Sequence, residues 1–183
     1  MVLKGENVLL RAIERDDIEI LRELINSPEM ERRIVGWGFP ISKKAQESWF
    51  ENFKNTPNMI RYTIDHKEFG VVGFTGLKDI DWKNGSVITA GIRILDNVSS
   101  KGIASECFKL LLDYCFNELR LNRVQSSTKQ NNLPVIKFLT KLGYKEEGIL
   151  REFEFKNGKY HNLILLSILK SDYDKINGNG SSY

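Results

Sequence analysis

The chain has 183 residues, 41% hydrophobic and 28% charged, with 27 Lys+Arg against 24 Asp+Glu for a formal net charge of +3. That length suits one domain with a sizeable core and excludes a disordered chain, while two cysteines, Cys107 and Cys115, exclude a disulfide-stapled scaffold. No stretch approaches the roughly 18–20 consecutive apolar residues of a membrane span, and Met1 to Arg11 lacks a signal peptide's apolar run. Bases and acids alternate, as in Glu14–Arg15–Asp16–Asp17 and Lys145–Glu146–Glu147, without the basic stripe of a nucleic-acid reader. The expectation is a soluble, cytoplasmic protein with neither nucleic acid nor membrane as partner.

In chain order, Val8 to Ile13 reads as a short strand. Asp16 and Asp17 then open a helix with Ile18, Leu21, Leu24 and Ile25 at helical spacing, acids first as the helix dipole favours. Asn26–Ser27–Pro28 is expected to end it, and Arg32 to Phe39, with Gly36–Trp37–Gly38, reads as a loop. A second helix follows Pro40, with Ser42 as N-cap and Ala45, Trp49 and Phe53 four apart. Three strands come next: Ile60, Tyr62 and Ile64 in alternation, then Val71 to Ile80, then Val87 to Leu95, with Asn84–Gly85 as a two-residue hairpin turn.

From Ala104 the period turns helical, with Phe108, Leu111, Leu112, Cys115 and Leu119 on one stripe. Arg123 to Thr128 is a strand. Asn132 caps a helix with Val135, Ile136, Leu139 and Leu142 inward, stopped by Gly143, with Tyr144 packing back. Strands at about 148–156 and 160–169 meet at a second turn, Asn157–Gly158, and the chain from Ser171 reads as a frayed tail, so the domain is taken as 1–173 with a flexible 174–183. Hairpins make the sheet mainly antiparallel, and the strand–helix–strand step through 104–119 adds one parallel pair by a right-handed crossover. The fold class is mixed α/β.

Chemistry concentrates between Ala90 and Cys107, where an apolar strand runs through small residues into a helix at Gly102. The free N–H groups of a first helical turn make an anion site. Gly102 and Ala104 would let a phosphate approach the backbone, with Ser105 adding a hydroxyl and Lys101 a charge. A loop entering a helix through glycine with no ligand is the plainer reading of that segment alone. The spacing is neither a P-loop nor a dinucleotide fingerprint. Cys107 and Cys115 fall on the apolar stripe and read as core, and His66 and His161 are isolated, so no metal site is expected.

The order of elements resembles the GCN5-related N-acetyltransferase (GNAT) superfamily, in particular the branch of ribosomal-protein N-terminal and spermidine acetyltransferases. The resemblance spans about Val8 to Tyr173. It rests on L-R-A-I-E-R-D-D, W-F-E at 49–51, A-G-I-R-I before the loop and S-S-K-G-I-A-S-E at 99–106. Asn132 followed by K-L-G-Y at 141–144, and E-G-I-L-R-E-F-E-F-K-N-G-K-Y-H-N at 147–162, complete it. It implies a sheet splayed at an acetyl-CoA cleft and flanked by helices. Pantetheine would pair with the backbone of Ile92, Arg93 and Ile94; the pyrophosphate would rest on N–H groups from Ser100 to Ser105, Lys101, Gly102, Ile103 and Ala104 included. Asn132 would face it across the cleft, flanked by Lys137 and Phe138. Relatives often dimerise, so a homodimer is compatible.

The chain departs from the family pattern at four positions. Ser99 stands where Arg or Gln is usual, which removes a side chain from the phosphate region. Leu139 replaces a Tyr that protonates the departing thiolate, Val135 replaces the alternative Ser, and Thr89 replaces a common Glu. No acid is therefore assignable by resemblance. Acetyl transfer needs an uncharged amine and a donor for the developing oxyanion, which the backbone N–H near Ile94 or Leu95 would supply.

Glu154 matches the glutamate proposed as base in the ribosomal-protein enzymes. Strand alternation would set Glu152 and Glu154 together, opposite Phe153 and Phe155. A solvated polar strand face is the alternative. Trp37 would overhang the acceptor, with a hydrophobic cap on the core as alternative, and Asp79 and Asp81 are weaker acidic candidates. The acceptor is expected to be a protein N-terminus of the ribosomal-protein kind. The alternatives are spermidine or another small amine, which predicts acids lining the cleft, and a CoA-binding sensor without turnover.

Overall fold

The computed structural model describes residues 1–36, 38–99 and 101–178. Alternation of apolar and polar side chains builds one eight-stranded sheet in the order β1-β2-β3-β4-β5-β6-β8-β7. Its strands are β1 (Leu3–Lys4), β2 (Val8–Arg11), β3 (Met59–His66), β4 (Gly70–Asp81), β5 (Ser86–Ile94), β6 (Arg123–Lys129), β7 (Lys145–Lys156) and β8 (Lys159–Leu169). All neighbours are antiparallel except β5 and β6, the expected parallel pair. The helices are α1 (Ile18–Asn26), α2 (Pro28–Arg33), α3 (Lys43–Asn52), α4 (Ile103–Asp113), α5 (Leu133–Lys141) and α6 (Lys170–Ile176). A π-helical segment, Tyr114–Glu118, continues α4.

The two faces of the sheet are covered differently. Cys107, Phe108, Leu111 and Leu112 of α4 and Leu139 of α5 pack on Leu10, Ile64, Val72, Leu77, Val87 and Val124 in the main core. Both cysteines lie in it fully buried, and burial pushes each thiol up to about 12. On the other face Ile13, Ile18 and Leu21 gather Trp49, Phe50, Phe53 and Phe74 beneath α1 and α3. Among the described residues no helix is long and apolar enough to cross a membrane.

Several expected elements change on folding. α1 ends at Asn26 as expected, but Pro28 also starts α2, because a proline at the first helical position forfeits no hydrogen bond, and Ser27 Oγ accepts from Met30 N at 3.2 Å. Ser42 caps α3 as expected, accepting from Ala45 N at 3.1 Å. Asn157–Gly158 is the expected two-residue turn, with φ of 53° and 77° between the paired Lys156 and Lys159. Asn84–Gly85 is not: Asp81 pairs with Ser86 across a four-residue loop. The carboxylate of Asp81 takes the Asn84 amide (2.9 Å) and side chain (2.7 Å), and Gly85 O accepts from Asn122 N at 2.7 Å, so the loop docks on the start of β6.

The segment from Ser171 is helical to Ile176 rather than frayed. Tyr173 packs on Phe116 (5.0 Å between centroids), and Asp172 takes Lys145 Nζ at 2.6 Å. The end of the tail lies outside the described residues.

Asp17 ties α1 to the sheet. Its carboxylate takes both terminal nitrogens of Arg11 (2.7 and 2.9 Å), the Glu14 amide (2.8 Å) and the Thr63 hydroxyl (2.9 Å). Burial pushes this carboxyl up, but the bonds from Arg11, Glu14 and Thr63 outweigh it and hold the group below its ordinary value. A depressed folded-state carboxyl stabilises above the unfolded value of about 3.9 and loses that contribution as pH falls through the folded one. Asp17→Asn is therefore expected to cost about 3 kcal/mol at pH 7, the scale for removing one partner of a buried pair. Urea titration of both proteins should show the gap closing in strong acid.

Candidate active site

β5 and β6 pair only from Ser86↔Arg123 to Ile88↔Gln125, and Thr89 Oγ1 makes the last link to Gln125 O at 3.2 Å. Beyond it β5 stays on β4 as far as Ile94 and β6 stays on β8 as far as Lys129, so the sheet opens between them. Gly91 sits at the divergence with φ of 78°, in a bulge that leaves Ala90 and Gly91 opposite Gly76 alone; the Thr75 hydroxyl donates to Gly91 O at 2.9 Å.

Register decides which backbone groups face the opening. Leu95 N donates to Val72 O at 2.9 Å, so in that antiparallel ladder every second residue of β5 turns its amide toward β4. Ile92 and Ile94 therefore present their N–H and C=O to the opening. Arg93 presents its own to Phe74, and the Leu95 amide is already spent, which leaves Ile94 as the strand donor on this edge. Arg93 contributes its side chain instead, with its guanidinium 5.0 Å over the Phe74 ring.

The mouth ends at the start of α4. Gly102 has φ of 80° and open space where a Cβ would stand. Among the described residues nothing accepts from the amides of Gly102, Ile103, Ala104 and Ser105. Two of the expected contributors are spent: Lys101 N donates to Val98 O, and both the amide and hydroxyl of Ser99 go to Asp96 O. Ser100 and Trp37 lie outside the described residues. Across the mouth, Asn132 occupies the N-cap position of α5 without capping it, because its side-chain amide donates to Thr128 Oγ1 at 3.2 Å. Phe138 crosses edge-on to Phe108 at 5.3 Å and holds α5 against α4, while Lys137 is exposed. Leu139 is buried in the core, so that position holds no proton donor.

Glu154 is 7% exposed, which excludes the solvated strand face. Its Oε1 accepts from Gly36 N at 2.6 Å, its Oε2 is buried without a hydrogen bond, and Lys129 and Lys156 stand 3.6 and 3.7 Å away. Glu152 does not share its face: the register of β7 breaks between Leu150 and Glu154, and Glu152, with φ of 49°, is exposed.

Sequence reading missed the two lysines. Lys156 Nζ donates to the carbonyls of Glu31 (2.6 Å), Ile34 (3.0 Å) and Gly36 (2.6 Å), and Lys129 Nζ to Arg32 O (2.8 Å), so with Glu154 they fasten the segment after α2 to the sheet. No periodicity announces such a set, because the segment it holds lies 97 to 125 residues away in sequence. Asp79 is exposed near the β4–β5 loop, at the closed end of the sheet, on the order of 20 Å along the strand from Gly73 at the mouth.

The acetyltransferase (GNAT) domain model matches residues 7–145. An uncharacterized N-acetyltransferase, p20, of Bacillus licheniformis is 30% identical over 174 residues, covering 93% of this chain and 97% of the relative. A putative ribosomal N-acetyltransferase of Bacillus subtilis (strain 168) is 27% identical, covering 93% and 95%. In fold, the chain is similar to a spermidine N-acetyltransferase from Vibrio cholerae solved with CoA and spermine, at a TM-score of 0.84 and 24% identity over 92% of this chain and 99% of that one. Open strand edge, glycine-led helix start and matching family model agree, and the chain belongs to the GNAT family of N-acetyltransferases, enzymes whose acetyl donor is acetyl-CoA.

Proposed function

We propose that this N-acetyltransferase acetylates a primary amine by direct transfer in the opening between β5 and β6, with Glu154 as the base. The observation that carries the reading is the splay itself: two parallel strands part beside helix-start amides that, among the described residues, have no acceptor, and Glu154 Oε2 is buried without a hydrogen-bond partner among them. The residues present fit acetyl-CoA. Ile92 and Ile94 offer a strand edge to pantetheine, and the amides from Gly102 to Ser105 offer the pyrophosphate a cradle that no Cβ obstructs at Gly102. Acetyl-CoA supplies the activated acyl carbon.

Glu154 takes the ammonium proton, the amine nitrogen bonds to the acyl carbon and gives its second proton to solvent, the Ile94 amide stabilises the oxyanion, and the C–S bond breaks to release CoA, whose sulfur takes a proton back from solvent. Of the acceptors the family suggests, the charges here favour an α-amino group over a polyamine. Arg61, Arg93, Lys129 and Lys156 stand with Glu31 and Glu154 on the face beneath α1 to α3, a poor host for a polycation. An α-amine, at about 7.7–8.0, also surrenders its proton more readily than an alkyl amine near 10.

Incubating the purified protein with acetyl-CoA and peptides, polyamines and amino acids, then following CoA and acetylated product by mass spectrometry, tests the reading. Product on α-amines is expected. Acetyl-CoA binding without product on any amine would reject it.

A further inference from the structure

Among the described residues, two guanidiniums on the face beneath α1 and α3 have no ion-pair partner. Phe74 is paired with Thr63 on one side and Arg93 on the other, and Arg61 stands two residues before Thr63, so Arg61, Phe74 and Arg93 project from the same face of the sheet, the one beneath α1 and α3. Arg61 lies 5.6 and 5.8 Å from the Trp49 and Phe53 rings, and Arg93 lies 5.0 Å from Phe74. Among the described residues neither side chain has an ion pair or a hydrogen bond, and Arg93 Nε is fully buried without a partner.

Burial lowers both groups from their ordinary value, and for Arg93 the like charge of Arg61 lowers it further. Glu31 offers Arg93 opposite charge from a distance, but its carboxylate is held by Lys156 at 3.2 Å. Both arginines are half-buried, and a buried guanidinium nitrogen without a hydrogen bond, Arg93 Nε, beside a second half-buried guanidinium marks a place where an anion belongs.

A cavity of about 230 Å³ is lined by Arg61 and by Phe74, the ring under Arg93, with Ile13, Leu21, Ile41 and Trp49. Its walls are nearly all apolar, and no carboxylate is among them. A polyamine would bring only further positive charge to this space. An apolar side chain would fill it, with an anion at its rim.

We infer that Arg61 and Arg93 read a carboxylate on the acceptor, which is a primary amine bearing that carboxylate a few bonds from the nitrogen and an apolar side chain for the cavity: the chemistry of an apolar α-amino acid. The inference rests on the acetyl transfer proposed above. Arg93 stands on the strand whose edge faces the reacting acyl group, so an acceptor held there by its carboxylate has its α-amine near the divergence of β5 and β6. These arginines are specificity determinants; they move no proton.

The test compares kcat/KM for L-phenylalanine with that for phenethylamine, which keeps ring and amine and lacks the carboxylate, and with those for L-phenylalaninamide and spermidine. L-Phenylalanine is expected to exceed phenethylamine roughly 100-fold or more, the scale on which a site built for a charged group rejects the analogue lacking it. In Arg93→Met and Arg61→Met that ratio should fall toward unity. Both variants should melt at or above the wild-type temperature without acceptor, because a half-buried cation without an ion pair is removed; a merely structural arginine would lower it. C-terminally amidated tripeptides led by Asp and by Ala locate the carboxylate: preference for the Asp peptide over both the Ala peptide and L-phenylalanine keeps the anion reading and moves the group to a peptide side chain. Equal rates for L-phenylalanine and phenethylamine, or faster spermidine, overturn the inference while leaving acetyl transfer standing. No product from any amine overturns both.

Discussion

Gly102→Asp is expected to abolish acetyl-CoA binding in a protein that still folds. An ordinary side chain is strained at this position, since its φ of 80° costs about 1–2 kcal/mol for an L-residue, but it has room, since among the described residues nothing lies within 4 Å of a Cβ built there. The two costs therefore separate. Gly102→Ala should lose only the conformational amount in stability and keep most of its affinity. The aspartate adds a carboxylate against the pyrophosphate, worth about 4 kcal/mol for one pair of charges 4 Å apart at an effective dielectric near 20, or roughly 1000-fold in Kd. Calorimetric titration of both variants with acetyl-CoA, beside their thermal melts, would read this directly. An aspartate variant with unchanged affinity would show that the phosphates sit elsewhere than the start of α4.

Glu154→Gln is expected to lower kcat/KM by roughly 100-fold to 10000-fold near neutral pH, the usual worth of a positioned general base. Glutamine keeps an oxygen for the Gly36 amide, so the tie to the segment after α2 survives while the base is lost. Glu154→Ala removes both and should loosen that segment as well, because Lys129 and Lys156 then lose their shared carboxylate. The signature lies in the pH dependence. As pH rises through the acceptor amine's own value, about 7.7–8.0 for a peptide α-amine and higher for a free amino acid, the amine arrives already deprotonated and the deficit of the glutamine variant should shrink. A parallel pH–rate profile for variant and wild type would dismiss Glu154 as base and leave it as a structural tie.

The elements legible in the sequence are those governed by local rules. Alternation gave β3, longer runs gave β4 and β5, helical spacing gave α1, α4 and α5, and Ser42 marked the start of α3 because an N-cap is a contact between residues three apart. Where one local signal had two meanings, the tertiary context chose. Pro28 stops a helix or begins one with equal fitness, and Ser27 beneath it decided for α2. Asn84–Gly85 has the composition of a two-residue turn, but Asp81 and the start of β6 compete for its backbone and widen the loop.

The site divides in the same way. The order and spacing of motifs in the sequence pointed to the family, and that resemblance in turn implied the strand at Ile92–Ile94 as the cofactor's edge, while Gly102 marked where α4 begins. Only the tertiary structure decided which groups remain free to act. Register spent the amides of Leu95, Lys101 and Ser99 and freed that of Ile94. A bulge in β7 separated Glu152 from Glu154 and buried the latter between two lysines. Strand pairing brought Arg61 and Arg93 onto one face without a counterion. Charge balance and hydrogen-bond satisfaction are sums over neighbours in space, and those neighbours are fixed only when strands far apart in sequence come into register.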